Sequence, residues 1–323
     1  MILNPEVLAI IILNTLFLFF TTIASFLSIK IFLRWDSDAT TKLQYSLEKQ
    51  SFLTATIIKY IFIIKIPLVL FFIFTLDKIS LTLPGAMCGA GVVDATEYGN
   101  YLLLLKIINL YIFAYWIFLH NEDTKEETQP YTKVKFGFFI LASLFFIVEL
   151  ILEIVMFSAI DSKTIVDCCG TIYSNSSGSY ISAIFDLNNA LLLTFFYGNY
   201  LLMIGFYSLK QKYLFAFSNL FFIIIALIIL VMFFGTYIYE QPSHHCPFCF
   251  LQNDYYYVGY LIYTLLFIGT FYGLVAGFLP SDERVREDNY KISLLFNTLY
   301  LLLLSLYPIV FYINNGVWLS SLF

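Results

Sequence analysis

The sequence predicts an all-α fold: a polytopic helical bundle of about eight transmembrane helices, forming a single transmembrane domain over residues 1–323. Three observations carry that prediction. The chain is 60% hydrophobic and only 12% charged, with a mean hydropathy of +0.84, which leaves too little polar surface for a water-dispersed protein. Its apolar residues gather into runs of the ~20 residues that cross a ~30 Å hydrocarbon core. Its basic residues, finally, sort by loop.

The runs are, in order, Val7–Leu33, Phe52–Leu76, Tyr101–Leu119, Phe136–Ile160, Ser182–Leu209, Leu214–Tyr239, Tyr255–Leu279 and Ile292–Ile313. Before the first stands Met1-Ile2-Leu3-Asn4-Pro5-Glu6, which lacks the basic n-region of a signal peptide. The apolar run behind it is also too long for an h-region, so it is expected to be a retained helix. The first and fifth runs are long enough to tilt or to extend past the bilayer. Only Lys210-Gln211-Lys212 divides the fifth from the sixth. Pro67 and Pro308 lie inside spans, where bundles tolerate kinks, and Gly198-Asn199 permits close helix packing. The 25 tyrosines suit helix ends that repeatedly meet headgroups, where an apolar ring with a polar tip is at home.

Counting loops alternately puts Lys30, Arg34, Lys42, Lys49, Lys59, Lys125, Lys133, Lys135, Lys210, Lys212, Arg284, Arg286 and Lys291 on one side. The other side holds only Lys78 and Lys163, while Lys65 and Lys106 fall inside spans. The positive-inside rule then places both termini outside. The expected setting is a bacterial inner (cytoplasmic) membrane, with the external face in the periplasm. The lipid bilayer is the expected surrounding, and a net charge of −5 gives no case for nucleic acid. Short mixed-charge loops such as Asn121-Glu122-Asp123-Thr124-Lys125-Glu126-Glu127 read as solvated connectors.

All five cysteines lie in the three external loops, 77–100, 161–181 and 240–254, and none lies in a span. The loops carry Met87-Cys88, Cys168-Cys169 and His244-His245-Cys246-Pro247-Phe248-Cys249. Cysteines used merely as small core hydrophobes would have fallen mostly in the helices.

Two chemistries use such a set. The first, and the better fit to the sequence, is thiol–disulfide exchange of the membrane-oxidoreductase type. Cys246 and Cys249 would be the active pair, and His245 would stabilise a thiolate. The N-terminus of the seventh helix would add its dipole. Cys168, Cys169 and Cys88 would relay electrons to a quinone or a periplasmic partner thiol. The tetrapeptide Cys246-Pro247-Phe248-Cys249 is similar to the redox motif of glutaredoxins, a likeness confined to four residues. The second chemistry is metal handling, copper(I) before zinc. Cys246, Cys249, Cys168, Cys169, His244, His245 and the thioether of Met87 would be ligands, with a periplasmic metal-carrier protein as partner. A third reading is a non-catalytic subunit of a larger complex, its loops stapled by disulfides; the odd cysteine count leaves that reading one thiol over. Phe250 stands where c-type haem attachment needs histidine, which excludes that cofactor.

Lys65, Lys106, Glu149, Glu153 and Asp186 fall within spans, away from the basic helix ends. Each costs at least ~2.5 kcal/mol in hydrocarbon unless paired or hydrated. Glu149 and Glu153, four apart, share a helix face. Pairs Lys65–Glu149 and Lys106–Glu153 would neutralise them, either as packing clamps or as part of a proton path.

Overall fold

In the computed structural model the described residues are 2–36, 39, 41–161, 163, 165–166 and 188–319. They are all-helical, with no strand, and include eight helices long and apolar enough to cross a membrane. These are α1 (Pro5–Arg34), α2 (Lys42–Ser80), α4 (Gly99–Asp123), α5 (Thr132–Ala159), α6 (Asn189–Ser208), α7 (Lys212–Tyr239), α8 (Val258–Phe278) and α9 (Glu283–Asn315). A short α3 (Gly89–Asp94) lies between α2 and α4. The protein is an integral membrane protein: its large outward side chains, such as Phe26, Leu33, Phe52, Ile151 and Leu201, are apolar. Polar Asn14, Asn199, Asn219 and Asn297 are buried instead, as lipid solvation demands.

Three helix starts differ most from those predicted, for physical reasons. Hydropathy reports only the part of a helix in lipid. The second helix begins at Lys42 because Thr41 caps it, accepting from the Gln44 N–H at 3.2 Å. The last begins at Glu283, its polar first turns braced by a Glu287–Lys291 pair at 3.0 Å. In the fifth, Asn188 caps Asn189–Ser208 by accepting from the Ala190 N–H at 2.8 Å.

By contacts the chain forms two compact units, Met1–Thr82 with Val92–Thr164, and Leu83–Gly91 with Ile165–Phe323. In the first, α1 packs on α2 and α5, and α4 packs on the same two helices, closing a ring of four. Its apolar core includes Phe17, Ile58, Phe62, Phe113, Trp116, Phe139 and Phe146. The α4–α5 connection is not merely a solvated loop. Asp123 is fully buried and takes Lys135 Nζ at 2.5 Å, Thr132 Oγ1 at 3.0 Å and the Tyr131 N–H at 2.7 Å. That many donors offset the desolvation cost of burying a carboxylate.

In the second unit α6–α7, α7–α8, α8–α9 and α9–α6 contacts close another ring of four. Asparagines and glycines set its closest approaches. Asn219 Oδ1 on α7 accepts from Asn297 Nδ2 on α9 at 3.0 Å. A Cβ on Gly273 of α8 would lie 2.1 Å from the Asn219 amide carbon, and one on Gly269 would lie 2.2 Å from Asn297 Oδ1. Small residues at these crossings let backbones approach, the usual source of helix cohesion in lipid.

Candidate functional site: a three-cysteine centre

Two loops of the second unit build the site. In the first, Gly85 has φ +90°, and a Cβ there would lie 2.2 Å from the Val166 carbonyl oxygen; only glycine fits. Pro84 O accepts from the Val166 N–H at 3.0 Å, and the chain then delivers Cys88. In the second loop, Phe248 N–H points at Cys246 Sγ, 3.4 Å away. The loop then enters a 3-10 turn at Cys249–Leu251. That brings both sulfurs of the C-x-x-C to the side where Cys88 stands.

The three sulfurs of Cys88, Cys246 and Cys249 all lie within 4.8 Å of one another, and Cys88 Sγ is 3.4 Å from Cys246 Sγ. Their residues are 0%, 1% and 6% exposed. The loops after the second and sixth spans therefore meet at these sulfurs.

Aromatic side chains hold the second loop. The Tyr239 hydroxyl donates to the Cys246 carbonyl and accepts from the Phe250 N–H at 3.1 Å. Tyr263 donates to the Pro247 carbonyl at 2.9 Å. Gly259, in the first turn of α8, leaves space that Phe250 and Leu251 fill; a Cβ would sit 2.4 Å from the Phe250 ring. Gln252 Nε2 reaches across to the Met87 carbonyl at 3.2 Å, tying the two loops together.

Other residues expected at the site are placed differently. His245 Nδ1 lies 3.0 Å from the Val231 carbonyl, in the π-helical turn Leu230–Phe234 of α7. Such turns offer carbonyls to side chains and recur at functional sites. Burial holds the His245 pKa below the ordinary imidazole value, against the opposing pull of the Val231 and Pro242 backbone. A neutral ring supplies no positive charge to a thiolate. His244 stacks edge-on against Tyr239, with ring centroids 4.2 Å apart. Neither histidine joins the sulfurs in the described cluster. Met87 turns its side chain outward, 67% exposed. The seventh span starts only at Val258, so Cys249 opens a 3-10 turn rather than preceding that helix directly. Cys168, Cys169 and Asp186 lie outside the described residues.

The intramembrane charges of the first unit form one network. Lys65 Nζ lies 2.9 Å from Glu149 Oε1, and Lys106 Nζ lies 2.5 Å from Glu153 Oε2, the two pairs that helical spacing predicts. Lys106 also reaches Glu149 Oε1 at 2.8 Å. Two asparagines extend it: Asn14 Nδ2 donates to Glu153 Oε1 at 2.7 Å, Asn14 Oδ1 accepts from Lys65 at 3.1 Å, and Asn109 Nδ2 donates to Glu149 Oε2 at 2.5 Å. Lys65 and Lys106 also sit over the Phe146 and Phe72 rings, at 4.6 and 4.3 Å. All four helices of the unit contribute, and two ammonium groups balance two carboxylates. Asn14 and Asn109 were legible as polar residues inside apolar runs. Tyr239, Tyr263 and Gly259 carried no such signal in a chain with 25 tyrosines and 15 glycines.

Comparison with protein families, with curated proteins and with solved structures finds no match to this chain.

Proposed function

We propose that this integral membrane protein holds a soft metal ion, copper(I) foremost, on the thiolates of Cys88, Cys246 and Cys249, as a metal-handling protein. The observation that carries the proposal is the convergence of three buried sulfurs within 4.8 Å of one another. Thiolates select copper(I) and zinc over harder cations. Zinc completes a tetrahedron with a fourth ligand; the described cluster is sulfur alone, which suits copper(I). The Phe248 N–H at 3.4 Å from Cys246 Sγ favours its thiolate. Tyr239 and Tyr263 fix the loop backbone, as partners behind metal ligands do. The charge asymmetry of the loops supports an external, periplasmic site in a bacterial inner membrane, where a metal-carrier protein could exchange the ion.

Thiol–disulfide exchange is the second reading, favoured by the 3.4 Å Cys88–Cys246 contact. Closing that pair to a disulfide releases two electrons and two protons to a quinone or a partner disulfide. It stands second because of burial: an incoming thiol must reach sulfurs whose residues are at most 6% exposed, whereas a metal needs only convergence.

The test is metal content with free-thiol count on protein purified anaerobically in mild detergent. Near-stoichiometric copper, lost in Cys88→Ser and in the Cys246→Ser/Cys249→Ser double variant, is expected. No metal in protein with all thiols reduced and copper(I) supplied overturns the metal reading. Cycling of the Cys88–Cys246 pair in that protein would then establish exchange.

A further inference from the structure

At the opposite end of the second unit from its cysteines, where α6 finishes and α9 begins, lies a cleft of about 220 Å³. Its walls include Tyr207 and Lys210 from the α6 end, and Glu283, Arg286, Glu287 and Tyr290 from α9. The carboxylates are already engaged, Glu283 by Lys210 at 3.1 Å and Glu287 by Lys291 at 3.0 Å. Arg286 differs. Its Nη2 donates to the neutral Ser281 carbonyl at 2.9 Å, and no ion pair involves it among the described residues. Its Nε is buried without a protein partner. One helical turn on, Tyr290 is only 5% exposed, and its hydroxyl too is buried without a protein partner. The Tyr290 ring is held in place edge-on by Tyr207 and Phe215, with centroids 5.7 and 4.7 Å away.

Residues four apart share a helix face, so Arg286 and Tyr290 present two unused donors to one cleft. A guanidinium has no acceptor, and an unpaired buried donor is costly. We infer that the cleft binds a phosphate-bearing anion, presented by the headgroup of an anionic phospholipid. The guanidinium fork matches phosphate geometry, and the Tyr290 hydroxyl supplies a further donor. The cleft lies on the Lys/Arg-rich side of the chain, where anionic headgroups concentrate. Exposed Leu202 and Leu209 on the α6 side, and Leu295 and Leu299 on α9, offer acyl chains an apolar bed.

The protein in zwitterionic nanodiscs is titrated with phosphatidylglycerol and, separately, with inorganic phosphate, binding being read by native mass spectrometry and thermal shift. Saturable phosphatidylglycerol binding is expected. It should weaken about ten-fold in Arg286→Gln, the loss of one charged hydrogen-bonding partner, and several-fold in Tyr290→Phe. Tyr290→Phe keeps the ring packing, so it decides the matter if Arg286→Gln fails to fold. Competition by inorganic phosphate at the same residues would support the phosphate chemistry, whereas inorganic phosphate binding with no phosphatidylglycerol binding would overturn the headgroup assignment. Absence of saturable binding by both, or wild-type binding in both variants, overturns the inference.

Discussion

Replacing Glu149 with Gln changes almost nothing in shape and one unit of charge at the centre of the first unit. The wild-type network is neutral, with Lys65 and Lys106 against Glu149 and Glu153. The variant keeps both lysines and one carboxylate, so one positive charge remains uncompensated among residues at most 3% exposed. Removing one partner of a buried pair costs about 3–5 kcal/mol, mostly because the survivor is stranded in a low-dielectric site. Glu149 accepts from Lys65, Lys106 and Asn109, so the upper half of that range is expected. Lys106→Met alone strands a negative charge and should cost a similar amount. Combining the two restores neutrality, with Lys65 and Glu153 still joined through Asn14. The double variant should therefore be at least 2 kcal/mol more stable than the sum of the single losses predicts, a coupling in the range that contacting residues show, about 0.5–3 kcal/mol. The assay is reversible unfolding in mixed micelles, or thermal denaturation in detergent followed by fluorescence of the protein's three tryptophans. Single variants costing under about 1 kcal/mol, or strictly additive losses, would refute the view that these residues act as one charge-balanced clamp. If Glu149→Gln leaves both folding and activity intact, a proton path through Glu149 loses its main support.

Other substitutions probe the rest of the architecture. Tyr239→Phe removes the phenol bridging the Cys246 carbonyl and Phe250 N–H; metal affinity should fall about 10–100-fold, as loss of a group behind the ligands typically causes, measured by competition with a copper(I) chelator. Gly85→Ala puts a Cβ 2.2 Å from the Val166 oxygen at a residue with φ +90°. It should destabilise by at least about 1–3 kcal/mol and raise the reactivity of Cys88 toward a thiol reagent. Lys135→Met leaves the buried Asp123, among the described residues, with Thr132 and Tyr131 as donors; a loss of about 3–5 kcal/mol is expected by denaturant titration, with Asp123→Asn/Lys135→Met recovering much of it.

Much of the fold is legible in the amino-acid sequence. Each long helix coincides with an apolar run, because in lipid a chain must satisfy its backbone internally and the helix is the local way to do so. What hydropathy missed lay outside the hydrocarbon. The polar turns at Lys42–Ser51 and Glu283–Lys291 are helical through capping and side-chain pairs, which an apolar window does not register. The Asp123–Lys135 contact was invisible for a related reason: in sequence its residues look like any solvated charged loop, and only packing makes them buried.

For the site, the sequence by itself determined the chemistry on offer: cysteines confined to loops, a C-x-x-C beside two histidines, and lysines and glutamates at helical spacing within spans. These are local facts, set by residue type and by the periods of helix and bilayer. Which groups meet was decided only in three dimensions. Cys88 and Cys246, 158 positions apart, come within 3.4 Å, while His245 turns to the Val231 carbonyl and Met87 turns outward. The physical reason is that a loop's course is governed by close contacts no pattern encodes: a glycine with no room for a Cβ, a phenol between two backbone groups, and a π turn with a carbonyl to share.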